Sequence, residues 1–443
     1  MSCPDFSAYT VGLITLGCKV NQYESEAIAE RFAAEGFRIA REGDVCDITV
    51  VNTCTVTAES DRKARQMIRR AVTANPDGCI LVTGCLAQTD PYQIANIAGV
   101  DFICGNTDKQ AVVDAAKRLI AQGHKNPVAE LLHRPLEGSA FEEMTITHFD
   151  RTRAYIKIED GCENRCTYCA IPSARGPVRS KSPLAVLREV RTLVDGGCRE
   201  VVLTGIETAS YGRDLGSFGL ADLLEAVDAI PGIGRVRLGS LDPSLMKQEF
   251  VDRISALRSL SPHFHLSMQS GSDTVLARMR RKYNRTMALA GMERLRRAIP
   301  GVQFTTDMIV GFPQETDAEF AQTLDFVRQA QFLMIHVFRY SPRAGTVAAE
   351  MPGQVPEAVK AERSRLLTEA EAAVRRQLLD RTVGKIYPVL FESREGGRSC
   401  GHTPEFFEVS VPAEQAAHGD ILPVKIESHN GTLCYGRVTE RKD

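Results

Sequence analysis

Nowhere does the chain carry an apolar run long enough to cross a bilayer. Its first twenty residues, MSCPDFSAYTVGLITLGCKV, lack the charged start, long apolar stretch and small-residue cleavage site of a secretion signal. These absences leave the cytoplasm as the expected compartment, with no membrane partner. There is no internal repeat and no low-complexity tract. Nor is there a strong charge of either sign: the formal net charge is −2, so the average says nothing about partners. Basic residues cluster only locally, in Arg62 to Arg70, Arg278 to Arg285 and Arg294 to Arg297, and such patches can bind phosphate without a basic average.

Cysteine is what the chain has in excess. Thirteen in 443 residues is an odd count in a reducing compartment, which argues against a disulfide framework and for metal or redox chemistry. The composition, 43% hydrophobic and 25% charged, is that of a folded protein, and the length implies about two to four domains.

From Val11 to about Ala121, short apolar runs (VGLITL, DITVVN, CILVTG, DFICG) alternate with helical periodicity near Tyr23 to Glu35 and Glu59 to Ala74. That alternation predicts an open parallel sheet with helices on both faces. Gly123 to Arg153 has no clear period, contains Pro127 and Pro135, and reads as a linker. Beyond it come six strand candidates, AYIKI, EVVLTG, RVRLGS, HFHLSM, FTTDMIVG and MIHVFRY. Each of the first five is followed by a helical segment, which predicts an incomplete (βα)6 barrel. A charged helix from about Pro356 to Arg381 precedes β-rich alternation with turns at Glu395-Gly396-Gly397 and Asn430-Gly431, the pattern of a small all-β barrel or sandwich.

Cys162, Cys166 and Cys169 form a C-x3-C-x2-C run directly after the first barrel strand. Three thiolates this close can face one iron-sulfur centre, and three protein ligands on a four-iron cluster leave one iron open to bind substrate. Candidate residues then gather at the carboxyl ends of the strands, where barrel active sites form: Gly205 and Glu207, Asp242, Gln269, Gly311 and Arg339 to Arg343, with Asp307 inside the fifth strand. Each is also the kind of residue that caps a helix. In the amino-terminal region Cys18, Cys54 and Cys85 each end a predicted strand, so an open parallel sheet would bring them toward one crevice. Gly17 and Gly84 would allow close backbone approach there. Core thiols are the alternative for these three. Cys3, Cys46, Cys79, Cys104, Cys198, Cys400 and Cys434 have no comparable placement and are assigned to packing or surface. Arg62, Arg65 and Arg69 share one face of a predicted helix, either an RNA contact or a solvated stripe.

The C-x3-C-x2-C run is the hallmark of the radical S-adenosylmethionine superfamily. Together with TLGCKVNQYES at 15 to 25, VVNTCTVTAESDRKARQMIRRA at 50 to 71, TGCLAQ at 83 to 88, DGCENRCTYCAIPSARG at 160 to 176 and SMQSGSD at 267 to 273, it makes the chain resemble the tRNA methylthiotransferases. The resemblance implies a methylthiotransferase amino-terminal domain over 9–122, a radical core over 148–376 and a TRAM-like RNA-binding domain over 377–441. It implies two 4Fe-4S clusters, one on Cys162, Cys166 and Cys169 and an auxiliary one on Cys18, Cys54 and Cys85, with S-adenosylmethionine chelated by the open iron. Tyr168 matches the aromatic usual in the radical loop, and Gly205, Glu207, Gln269 and Asp307 are carried over toward the nucleotide. Glu207 stands where His or Asn is expected, and Glu159 and Arg175 match by position only.

The wording GCKVN is similar to the branch acting on N6-threonylcarbamoyladenosine beside the anticodon; the isopentenyladenosine branch tends to read GCQMN and the ribosomal-protein branch GCPKN. The resemblance therefore implies methylthiolation at C2 of that adenosine, with tRNA bound through its anticodon loop, an electron donor such as flavodoxin or ferredoxin, and a sulfur source. Arg437, Arg441 and Lys442 add charge to the carboxyl-terminal region, whose Tyr387, Phe391, Phe406 and Phe407 serve either RNA stacking or the core. Rival readings are methylthiolation of isopentenyladenosine or of a ribosomal-protein aspartate, and a non-catalytic iron-sulfur RNA-binding protein.

Overall fold

The computed structural model describes residues 5–41, 44–123, 126, 128–149 and 151–439; Cys3, Pro127, Arg441 and Lys442 lie outside the described residues. The amino-terminal sheet has six parallel strands in the order Arg38–Ile39, Thr10–Thr15, Ile48–Thr53, Cys79–Gly84, Phe102–Cys104 and Glu130–Leu132. Helices Lys19–Ala34 and Ala111–Gln122 bury Tyr23, Ile28, Phe32 and Val112 against Val50, Leu81 and Phe102 on one face. On the other, Ala64 and Ile68 of helix Ala58–Ala74 pack with Val51, Ile80, Val82 and Ile103. A strand buried on both faces has to be apolar throughout, which is why these runs do not alternate.

Two sequence expectations give way. The presumed linker supplies the sixth strand, because Glu130–Leu132 completes its hydrogen bonds on Phe102–Cys104, and three residues are too few to show a period. The first helix begins at Lys19, immediately after Cys18, whose extended backbone (φ −94°, ψ 177°) ends the loop.

The six barrel strands run parallel in two sets, Arg153–Lys157 with Glu200–Thr204 and Arg235–Leu238, and Ser240–Leu241 with His263–Gln269, Gln303–Val310 and Met334–Arg339. The third strand, read as continuous over RVRLGS, is broken at Gly239, where a Cβ would stand 3.2 Å from Thr204 Oγ1. Helices Pro183–Asp195, Leu220–Asp228, Gln248–Ser255, Arg285–Ala298 and Asp317–Ala330 follow the first five strands.

Side chains alternate along every strand. Ala154, Ile156, Val201, Leu203, Phe264 and Leu266 pack outward under the helices, which turns Arg153, Lys157, Glu200, His265, Asp307 and His336 to the other face. A closed (βα)8 barrel fills its interior with branched apolar side chains; this one has a charged lumen.

Helix Glu357–Asp380 leads to a closed five-stranded barrel built from Ile386–Glu395, Arg398–His402, Glu408–Pro412, Ile421–His429 and Cys434–Val438. Phe391 and Phe407 are buried in its core with Val389, Val409 and Val424, and Tyr387 packs edge-on against Phe407. Phe406 stacks between His263 and His402, with Arg237 over its ring at 5.0 Å. These aromatics are therefore engaged in core and docking contacts. Arg153 also pairs with Glu392, and Arg235 and Arg237 donate to the carbonyls of Pro388 and Pro404 at 2.8 and 3.2 Å, so the small barrel closes the floor of the large one.

Candidate active site

Cys18, Cys54 and Cys85 stand at the carboxyl ends of neighbouring strands, and all three are free thiols. Gly17 (φ +105°) and Gly84 (φ +101°) precede two of them. A Cβ on Gly17 would sit 2.7 Å from Cys54 Cβ, and one on Gly84 would sit 2.4 Å from the Thr53 carbonyl oxygen. Only glycine fits either place, so the loops close on one another. Asn21 ties them together, donating from Nδ2 to the carbonyls of Leu16 and Thr53 at 2.6 and 3.0 Å.

The radical-type loop is anchored the same way. Gly161 (φ +88°) would place a Cβ 1.9 Å from the Pro177 carbonyl oxygen, and Cys162 N donates to Gly176 O at 2.9 Å. Cys162, Cys166 and Cys169 line one cavity of about 690 Å³ with Arg165, Arg280 and Thr346. Burial pushes the thiols of Cys162 and Cys54 up to about 12 and that of Cys169 to about 11, so thiolate there needs a cation. Each set has one: Arg281 Nη1 donates to Cys166 Sγ at 3.1 Å, and Arg175 Nε donates to Cys85 Sγ at 3.2 Å.

Among the described residues no three His, Cys, Asp or Glu converge where a single metal ion would bind. Three thiols around one roomy cavity, with a guanidinium against them, instead suit a four-iron cluster, whose irons spread the ligands apart.

Sequence pattern assigns Arg281 no role; its only signal is membership of the basic run Arg278 to Arg285. Arg175 is fully buried. It spans the two units, donating to Asn21 and Glu24 at 2.6 Å each and to Asp160 at 3.2 Å. Glu24 is further held by Lys109 at 2.5 Å and Lys157 at 2.8 Å.

The remaining candidates divide. Tyr168, Gln269, Asp307, Arg339 and Arg343 line a second cavity of about 200 Å³, whose far wall is Val56 and Thr57 of the Cys54 loop. Gln269 adopts φ +64° at a register shift in its strand, a strained conformation of the kind that collects at functional sites. Arg343 bridges the units by pairing with Asp61 and donating to Thr55 Oγ1 at 2.5 Å.

Gly205 and Glu207 lie apart from this cavity. A Cβ on Gly205 would meet Glu159 Oε2 at 2.7 Å, and Glu207 N donates to that oxygen at 2.8 Å. Asn164, inside the cysteine loop, donates to Glu207 Oε2 at 3.1 Å. Burial, reinforced by Asp242, raises Glu207 to about 7. Among the described residues Glu159 Oε1 and Glu207 Oε1 are buried without a hydrogen-bond partner, two polar oxygens of the kind that folded proteins ordinarily satisfy.

Asp242 pairs with Arg281 at 3.1 Å and accepts from Ser244 N at 2.9 Å, a positioning and capping contact. Gly311 lines neither cavity: it packs on Lys360, whose Cγ would be 2.3 Å from an added Cβ, and its N–H is taken by Glu315 at 2.6 Å.

Arg62, Arg65 and Arg69 do share a face, lining an open groove of about 740 Å³ with Arg70. Arg62 pairs with Glu59 at 2.6 Å and Arg65 donates to Gln93 at 2.6 Å. Arg437 pairs with Glu427 at 3.0 Å. No helix among the described residues is long and apolar enough to cross a membrane.

Comparison with known proteins agrees with this layout. A family model described as Radical SAM superfamily matches residues 156–327, and one described as Uncharacterized protein family UPF0004 matches residues 10–105. The chain is 39% identical over 425 residues to the threonylcarbamoyladenosine tRNA methylthiotransferase MtaB of Bacillus subtilis, covering 94% of this chain and 93% of the relative. It is 42% identical over 385 residues to the protein of the same name from Thermotoga maritima, covering 86% of each. Identity is 34% over 448 residues to the tRNA-2-methylthio-N(6)-dimethylallyladenosine synthase of Moorella thermoacetica, covering 97% and 98%.

Among solved structures, the radical S-adenosylmethionine methyltransferase TsrM of Kitasatospora setae, with cobalamin and a 4Fe-4S cluster bound, superimposes with a TM-score of 0.55 at 14% identity over 77% of each chain, a likeness of fold. With a radical-type cysteine loop on a six-stranded barrel, a second cysteine set on the adjoining sheet, and relatives this similar over nearly the whole length, the chain belongs to the radical S-adenosylmethionine tRNA methylthiotransferase family.

Proposed function

We propose that this enzyme inserts a methylthio group at C2 of N6-threonylcarbamoyladenosine next to the anticodon of tRNA. One observation carries the proposal: the 200 Å³ cavity has one wall from the Cys54 loop and the other from Tyr168, between Cys166 and Cys169, so a substrate carbon held there has a cysteine set on either side. When bound, a cluster on Cys162, Cys166 and Cys169 with S-adenosylmethionine supplies the one-electron chemistry that an aryl C–H bond requires, and an auxiliary cluster on Cys18, Cys54 and Cys85 supplies the sulfur.

The protein's own residues position and shield. Glu159 and Glu207 offer their free carboxylate oxygens to the amino group of the nucleotide's methionine part. Tyr168, Gln269 and Asp307 shape the cavity beside it. Gly205 keeps Glu159 close, and Arg281 and Arg175 hold one thiolate of each set. Arg62, Arg65 and Arg69 give phosphate contacts that set the register of the RNA without reading sequence, as suits recognition of a single-stranded loop. A flavodoxin- or ferredoxin-like reductant and a sulfur source complete the reaction, which belongs in the cytoplasm with its tRNA.

The test is anaerobic reconstitution followed by nucleoside mass spectrometry of tRNA carrying N6-threonylcarbamoyladenosine. Wild-type protein should hold about eight irons and add a methylthio group. The Cys18, Cys54 and Cys85 triple Ala variant should release 5'-deoxyadenosine yet add none. An iron content near four in the wild type, or methylthiolation by the triple variant at the wild-type rate, overturns the proposal.

A further inference from the structure

The segment that leaves the sixth barrel strand touches both cysteine loops. At its far end Ala348 N donates to the carbonyl of Thr167, between Cys166 and Tyr168, at 2.8 Å. Ala348 is buried with Phe312 and Tyr340, and Tyr168 packs on the same cluster, so this end is fixed to the radical-type loop. In the middle, Gly345, Thr346 and Val347 line the cavity of the three thiols. At the near end Arg343 reaches the loop after Cys54. Its guanidinium pairs with Asp61 and donates to Thr55 Oγ1 at 2.5 Å, and that hydroxyl donates in turn to Asp61 at 2.7 Å.

This near end holds its shape. Thr346 N and Oγ1 both donate to the Arg343 carbonyl, at 3.1 and 2.7 Å, which closes a turn with Gly345 at φ +80° inside it. The side chains of Arg343 and Asp61 are 11% and 16% exposed and Thr55 is buried, so water screens the triangle little. Asp61 stands in the first turn of helix Ala58–Ala74, where the helix dipole favours its charge.

Among the described residues no other hydrogen bond or ion pair joins residues 54–61 to the barrel. Arg175 ties the barrel to Cys85 and to helix Lys19–Ala34, which leaves the Cys54 loop to Arg343. Val56 and Thr57 of that loop face Tyr168, Gln269 and Asp307 across the 200 Å³ cavity. The width of this cavity therefore depends on how far the 343–348 segment lets the loop stand from the barrel.

We infer that Arg343 is a positioning residue. With Asp61 and Thr55 it latches the Cys54 loop to a strap, residues 343–348, whose other end holds the radical-type loop, and so sets the separation of the two cysteine sets across the substrate cavity. It acts through the loop and not on the reacting atoms. Two groups on separate units react only if that separation is held, since a displacement of about 1 Å costs on the order of 100-fold in rate. The inference rests on the reading that both cysteine sets serve one methylthiolation.

Two readouts test it on Arg343→Gln, Arg343→Lys, Asp61→Asn and the double variant Arg343→Gln with Asp61→Asn. In cluster-free protein, hydrogen exchange followed by mass spectrometry should be faster over residues 54–61 in the Gln and Asn variants and like wild type over residues 83–90. In reconstituted protein, the methylthio product formed per 5'-deoxyadenosine should fall by roughly 10- to 100-fold in either single variant. The double variant should fall no further, because both changes remove one contact, and Arg343→Lys should recover part of the loss. Asp61→Asn opens the latch from the other side, so the outcome does not hang on the folding of one variant.

An unchanged product ratio in Arg343→Gln and Asp61→Asn overturns the inference. A lowered ratio with wild-type exchange over residues 54–61 also overturns it, because Arg343 would then act on the substrate itself. So does a fall fully accounted for by iron lost from the amino-terminal site. A wild type that methylthiolates no tRNA, with exchange over residues 54–61 still responding to the variants, removes the functional reading and the inference with it, and leaves a structural contact.

Discussion

Arg175 Nε donates to Cys85 Sγ across 3.2 Å while Nη1 of the same guanidinium donates to Glu24 at 2.6 Å. A side chain from the segment after the radical-type loop thus reaches a cysteine of the amino-terminal sheet, and the two units share one buried charge network. Removing the cation leaves Glu24 and Asp160 short of a partner in a place water cannot reach. Arg175→Ala should therefore destabilise the protein by roughly 3–5 kcal/mol, read as a lower denaturation midpoint in urea. Arg175→Lys should recover part of this, since a point charge cannot reproduce the fork. An unaltered midpoint in the Ala variant would show the network to be dispensable.

Glu200 lies fully buried among Arg237, Arg153 and Arg235. Burial alone would raise its pKa, but the three guanidiniums overcome it and hold it at about 2. A carboxylate depressed from an ordinary value near 4.5 stabilises the fold at every pH above that value. The contribution fades as pH falls from about 4.5 toward 2, and is worth about 3 kcal/mol at neutral pH. Urea midpoints of cluster-free wild type and Glu200→Gln should thus differ at pH 7 and converge as pH falls from about 4.5 toward 2. A gap that does not shrink would place the origin of the difference outside ionisation.

Gly84→Ala sets a Cβ 2.4 Å from a backbone oxygen at φ +101°, so the loop before Cys85 has to move. A cost of about 1–3 kcal/mol is expected, together with loss of iron from the amino-terminal site while the radical site still loads. Iron and sulfide analysis of the purified variant distinguishes these. A full complement of both would mean the loop relaxes without harm.

Neutralising Arg62, Arg65 and Arg69 together should weaken tRNA binding and flatten its dependence on salt by roughly two to three units of slope, about 0.7–0.9 for each phosphate no longer neutralised. Filter binding between low and moderate salt measures this. A parallel line, merely displaced, would assign the helix a structural part only.

Truncation after about Leu379 does more than remove an RNA-binding surface. It takes Glu392 and the Pro388 and Pro404 carbonyls away from Arg153, Arg235 and Arg237 and uncovers His263 and its stack on Phe406. The expected outcome is a lower thermal midpoint of the remaining barrel, measured by differential scanning calorimetry, in addition to any loss of RNA affinity. An unshifted midpoint would mean that the small barrel does not support the large one.

Local pattern determined a good deal. A strand buried on both faces must be apolar, so the parallel sheet could be read from VGLITL, DITVVN and CILVTG. The spacing of Cys162, Cys166 and Cys169 brings three thiols together whatever surrounds them. Asn430-Gly431 marked a turn because Gly431 takes φ +96°. Short or interrupted elements escaped: Glu130–Leu132 is a strand only because a neighbour supplies its hydrogen bonds, and Gly239 breaks a run that alternation alone draws as continuous.

What the tertiary structure decided is which distant residues share a space. Arg175 and Cys85, Arg281 and Cys166, and Arg343 and Asp61 are brought together by strand order and by packing of the amino-terminal sheet on the barrel. None of these pairs has a period or a spacing in the chain. Charge and burial act through space, so the sequence by itself determined the thiols and the sheets, and only the fold determined which cation stands beside which thiol.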